Sequence, residues 1–206
     1  MATNMRMTAG RKFFAMLLIA ILAACSESGE EVIAPGPSYD LDVLKSKARA
    51  AIKEFGPALK TELQNAMSTG GAVAAIEMCN LTAPDIAVAT GVRHELQIGR
   101  TSHRVRNPAN APDEWEAARL QEFLVAVEQG AALKTLDFGA VVETDEGAVF
   151  RYMKAIPTGG LCVVCHGQEL APEVVDILGK LYPEDQARGF EVGGLRGAFT
   201  VTRKLN

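Results

Sequence analysis

One hexapeptide, Cys162-Val163-Val164-Cys165-His166-Gly167, restricts this chain more than any other stretch. Two thiols three positions apart, followed at once by an imidazole, are the attachment signature of a c-type haem. The spacing has a chemical reason. Each thiol can form a thioether with one vinyl group of the same porphyrin, and the histidine then sits under the iron as an axial ligand. Two rival readings of a Cys-x-x-Cys pair fit this sequence less well. A structural zinc site needs a second ligand pair at similar spacing, and the sequence has none. A thioredoxin-like redox pair wants a strand before it and a βαβ context, whereas the Thr158-Gly159-Gly160 loop precedes this one. The motif therefore predicts one covalent haem c, attached through Cys162 and Cys165, with His166 on the metal.

The beginning of the chain carries a different kind of signal. Arg11-Lys12 forms a basic start and Phe13 to Leu22 an apolar run, too short to span comfortably as a mature helix. The run ends in Leu22-Ala23-Ala24-Cys25, which is similar to the lipobox of bacterial lipoproteins, where the cysteine is acylated and becomes the first residue. Residues 1–24 are thus expected to be a lipoprotein signal peptide, with a lipid anchor at Cys25. Residues 25–39, polar and rich in Pro and Gly, read as a tether, and residues 40–206 as the domain. Loss of residues 1–24 removes Arg6, Arg11 and Lys12 and no acid. That leaves 18 of the 21 basic residues against 25 acidic ones, a formal charge of −7. Such a balance argues against nucleic acid as a partner, which wants a basic patch, and permits a basic redox partner protein.

Of the four cysteines, one goes to lipid and two to haem, which leaves Cys79. An exported compartment favours disulfides, yet Cys79 has no partner left. It is either buried and inert or bound to something.

Apolar spacing predicts a helix through Leu41, Leu44, Ala48, Ile52 and Phe55, interrupted at Gly56-Pro57. A second piece runs to Ser68 and closes at Gly70-Gly71. A third, with Val73, Ile76, Cys79 and Ala83 on one face, restarts at Pro84. This places Cys79 inward among apolar neighbours. Residues 94–102 look extended, and Asn110 is the expected N-cap of a helix from Pro112 to about Gln129. Val141–Thr144 and Ala148–Ile156 read as a hairpin around Asp145-Glu146-Gly147. That triplet is a turn rather than a metal site, and Trp115 and Glu116 are explained by packing and helix-start charge. A short helix, Pro172–Leu181, and a last strand, Arg196–Leu205, complete an α+β chain.

The second axial position is open at this point. His94, His103, Met67, Met78, Met153 and Cys79 are the side chains on offer. Histidines on a polar extended stretch are most often surface residues, methionines most often core filler, and a buried free cysteine most often a small hydrophobe.

Several further stretches bear on this. They are Ala75-Ile76-Glu77-Met78-Cys79, Arg100-Thr101-Ser102, the run from Arg106-Asn107-Pro108 to Trp115-Glu116, Leu161 to Gly167, Tyr182-Pro183 and Gly194-Leu195-Arg196-Gly197-Ala198. Together they resemble a family of single-haem c-type proteins with a PAS-like fold, found alone and as the extracytoplasmic part of sensor histidine kinases. The resemblance covers about Leu41 to Leu205. It implies an antiparallel sheet flanked by helices after an N-terminal helical segment. It also implies iron held by His166 and by Cys79. Thiolate ligation implies a low reduction potential, since reduction leaves net negative charge on a buried group. Arg100, Arg104 and Arg106 are candidates to pair with the haem carboxylates, Arg106 foremost because the Asn-Pro turn beside it looks rigid.

Three functions fit these expectations. The first is electron transfer by a lipid-anchored single-haem protein of the bacterial cell envelope, facing the periplasm. The second is redox or gas sensing by a haem module that works through a partner protein, since no output domain is evident. A haem peroxidase or small-oxide reductase comes third, for no acid–base residue beyond His94 and His103 offers itself.

Overall fold

The computed structural model describes residues 38–205. The expected signal peptide, the expected anchor at Cys25 and nearly all of the expected tether lie outside the described residues. Helix α1 (Leu41–Leu81) starts at Asp40, whose carboxylate accepts from the Asp42 and Val43 N–H groups. It runs straight through Gly56-Pro57, where the sequence predicts an interruption. Packing overrides the local cost of proline here, because Phe55 and Leu59 on either side are both buried. Gly56 itself is an approach point: a β-carbon there would meet the Phe199 ring at 3.2 Å. The real break falls at Gly70-Gly71, with φ of 67° at Gly71. A second helix, α2 (Ala83–His94), follows and ends on Glu95 in the left-handed region.

Four strands form one antiparallel sheet in the order β1-β4-β3-β2. They are β1 (Gln97–Thr101), β2 (Asp137–Thr144), β3 (Gly147–Pro157) and β4 (Leu195–Lys204). Strands β2 and β3 form the expected hairpin, with Gly147 at φ 106° in its turn. Strand alternation sends Phe150, Tyr152, Val201 and Ile98 to one face, against Leu44, Ala48, Ile52 and Phe55 of α1. Met153, Ala155 and Ala198 point to the other, against Leu120 and Phe123 of α3 (Glu114–Glu128). Asp113, not Asn110, caps α3. It forms a reciprocal capping box with Glu116. Asn107 instead caps the 3₁₀ turn Pro108–Asn110. Helix α5 (Pro172–Leu181) packs Val174 and Leu178 against Ile76 of α1. The architecture is α+β: an antiparallel sheet with helices on both faces and a long leading helix. Its end near the start of β4 is where α1, the 102–107 loop and the Cys-x-x-Cys-His turn converge.

Candidate functional site

The Cys162–Gly167 stretch is local structure before it is a site. Val163–His166 is one helical turn, α4, entered from a turn in which the Cys162 N–H donates to the Gly159 carbonyl. The His166 N–H donates to the Cys162 carbonyl at 2.9 Å and the Gly167 N–H to Val163 at 2.9 Å. A helical turn puts positions i and i+3 on one side, so the spacing of Cys162 and Cys165 presents both thiols together. Gly167 is required, since a β-carbon would lie 2.5 Å from the Val163 carbonyl oxygen. Beyond it the chain pairs back: the Gly189 N–H donates to Gly167 and the Phe190 N–H to His166, each at 2.9 Å.

His166 is held from behind. Its Nδ1–H donates to the Ala187 carbonyl at 2.8 Å, because a carbonyl can only accept. That leaves the Nε2 lone pair on the cavity side, where it accepts from Arg196 Nη2 at 3.3 Å. Burial, with the Arg196 and Arg106 charges adding to it, pushes the imidazole down to about 2, so the ring is neutral at ordinary pH. An oriented neutral imidazole with a carbonyl behind it is the arrangement of a metal ligand.

The cavity in front measures about 480 Å³, within the roughly 300–1,000 Å³ of small-molecule sites. Its lining brings together His166, Cys162, Cys165, Cys79, Met67, Met78, Arg100 and Arg106. Of the six candidates for the second position on the metal, Cys79, Met67 and Met78 line this cavity and the other three do not. His94 is elsewhere, its Nε2 on Glu54 at 2.8 Å. His103 packs edge-on against Phe190 and does not line the cavity. Met153 is wholly buried in the core under α3. Cys79 faces inward, as its helical position predicts. It is half-buried on the cavity wall; burial pushes its thiol up, while Arg100, Arg106 and Arg196 pull the other way.

Arg106, foremost among the carboxylate partners expected from sequence, has a partner of its own. Its Nε sits 3.0 Å from Asp185 Oδ1, and its Nη2 donates to the Cys165 carbonyl at 2.6 Å and to that of Ala187 at 3.2 Å. It ties the two backbone segments that frame His166. Arg104 donates to the Arg188 and Gly189 carbonyls and lies over Phe190. Arg100 lines the cavity, as does Arg196, which sequence reasoning missed as a site residue. The signal available for Arg196 was its place in Gly194-Leu195-Arg196-Gly197-Ala198, an arginine set between glycines at the start of the last strand. Among the described residues no group of three or more His, Cys, Asp and Glu side chains could hold a metal ion.

A family model described as Tll0287-like matches residues 15–203. Among solved structures, the crystal structure of the cyanobacterial heme-protein Tll0287 is similar. It is 21% identical with a TM-score of 0.58, over 82% of this chain and 98% of that one. No curated protein matches the chain.

Proposed function

Because the chain belongs to the Tll0287-like family, we propose that it is a single-haem c-type protein, joined to the porphyrin through Cys162 and Cys165, with His166 and Cys79 on the iron and electron transfer as its role. The observation that carries this is His166: one ring nitrogen on the Ala187 carbonyl, the other presented to a cavity that also holds both motif thiols and Cys79. The residues present fit such a group. His166 on α4 and Cys79 on α1 would hold the iron, while Leu59, Leu63, Ile76 and Phe199 offer apolar walls to a flat aromatic ligand. Bound there, the haem supplies a one-electron couple at its iron. A thiolate at Cys79 adds negative charge beside the metal and so disfavours the reduced state, while the three nearby arginines soften that effect. The fold is read as PAS-like, and the protein as held in the bacterial envelope by lipid on Cys25, facing the periplasm and a redox partner.

The test is a spectrum and redox titration of the haem-loaded protein. Cys79→Ser is expected to raise the midpoint potential and shift the visible spectrum; an unchanged spectrum and potential remove Cys79 from the metal. A chain matured alongside a working haem-ligation apparatus that emerges colourless ends the haem reading. A second reading, redox or gas sensing through a partner, draws on the Gly70-Gly71 break, which separates Cys79 from the first part of α1 and offers a pivot for it. Rapid binding of carbon monoxide or nitric oxide by the reduced protein favours sensing, and inertness with fast electron exchange favours transfer.

A further inference from the structure

Four arginines and one lysine line the cavity: Arg100, Arg104, Arg106, Arg196 and Lys60. No aspartate or glutamate does so among the described residues. The chain as a whole is acidic, with a formal charge of −4. Two of the arginines are already answered, Arg106 by Asp185 and Arg104 by backbone carbonyls. Arg100 and Arg196 have no ion-pair partner among the described residues. The polar contacts of Arg196 are both neutral: the Ser102 hydroxyl at 3.1 Å and His166 Nε2.

The placement of Arg196 is built into the backbone. Ile156 pairs with Gly197 and Pro157 with Leu195, so β4 carries one residue more than β3 at this step, and that residue is Arg196. A bulge of this kind re-aims a side chain. Gly197 makes it possible, at φ 152° and against the Thr101 carbonyl. The Ser102 hydroxyl fastens the bulge by donating to the Arg196 carbonyl at 2.7 Å.

We propose that Arg196 and Arg100 are the anion-recognising pair of this cavity, and that they select a porphyrin bearing two carboxylates, one guanidinium to each; this rests on the haem reading above. Guanidinium matches a carboxylate bidentately, and in a cavity without acids nothing on the protein competes for it. Arg106 is then a brace of the motif rather than a ligand contact.

The test uses the full chain carrying Cys162→Ser and Cys165→Ser, so that porphyrin binding is reversible. It is titrated with ferric haem and, separately, with the dimethyl ester of haem, read by the Soret band. The free acid is expected to bind at least about tenfold more tightly than the ester. Arg196→Gln and Arg100→Gln should each weaken acid binding by about tenfold and leave ester binding in place, with Arg196→Lys recovering part of the loss. Equal binding of acid and ester overturns the pair while leaving the haem reading intact. So does an equal loss for both ligands on Arg196→Gln, which would make this arginine a brace for His166. If neither porphyrin binds, both readings fall together. Should Arg196→Gln fail to fold, as judged by circular dichroism, Arg100→Gln and Arg196→Lys carry the same comparison.

Discussion

A β-carbon on Gly197 would lie 2.3 Å from the Thr101 carbonyl oxygen, and φ there is 152°. Strain and collision act together, and the neighbour is backbone that cannot turn away. Gly197→Ala should therefore cost about 3 kcal/mol or more, read as a fall in the urea midpoint. A loss below about 1 kcal/mol would mean that the β1–β4 approach yields easily. Asp185 carries a second consequence. Burial raises its carboxyl, but the ion pairs with Arg106 and Arg188 outweigh that and hold it below its ordinary 3.8. A carboxyl depressed in the folded state binds fewer protons there than in the unfolded chain. Its contribution is thus present above pH 3.8 and lost as pH falls through the lower folded value. The melting temperature should drop steeply below pH 4, and Asp185→Asn should flatten that drop. At neutral pH the same change should destabilise by about 3–5 kcal/mol, since it leaves the buried Arg106 uncompensated. A variant with the same acid limb as the parent would deny Asp185 this part.

Helix α1 does two jobs along its length. Its first part supplies Leu44, Ala48, Ile52 and Phe55 to the sheet; its last part presents Cys79 to the cavity and Ile76 to α5. The break at Gly70-Gly71 joins them. Gly71, at φ 67° and ψ −158°, has nothing within 4 Å of where a β-carbon would stand. The cost of Gly71→Ala is therefore conformational alone, ~1–3 kcal/mol by denaturant titration. Relief of that strain would straighten the helix and carry Cys79 away from His166. In the haem-loaded protein, Gly71→Ala should then shift the visible spectrum in the direction of Cys79→Ser. A loss of stability with an unmoved spectrum would make the break a packing feature only.

The domain frames a cationic cavity in an acidic chain, at the end of the sheet where α1, the 102–107 loop and the Cys-x-x-Cys-His turn converge. Placement in the envelope rests on Cys25, so Cys25→Ser should move the mature chain from the membrane fraction to the soluble one, followed by immunoblot of fractionated cells. Retention in the membrane fraction would end the lipid-anchor proposal.

Local signals were the readable ones. The Cys-x-x-Cys-His turn, the hairpin closed at Gly147, the proline-started α5 and the strand after Gly193-Gly194 each depend on residues within a few positions of one another. Their chemistry is therefore written along the chain. Cys79 could be named from sequence as a leftover thiol, but residues far from it in the chain decide that it shares a cavity with His166 while His94 and Met153 do not. Pro57 passes inside a helix because burial on both sides outweighs a local penalty, and Asp113 caps α3 because it can exchange hydrogen bonds with Glu116. The aim of Arg196 was illegible for the same reason: a bulge is a mismatch of register between β3 and β4, a property of the pairing and of neither strand alone.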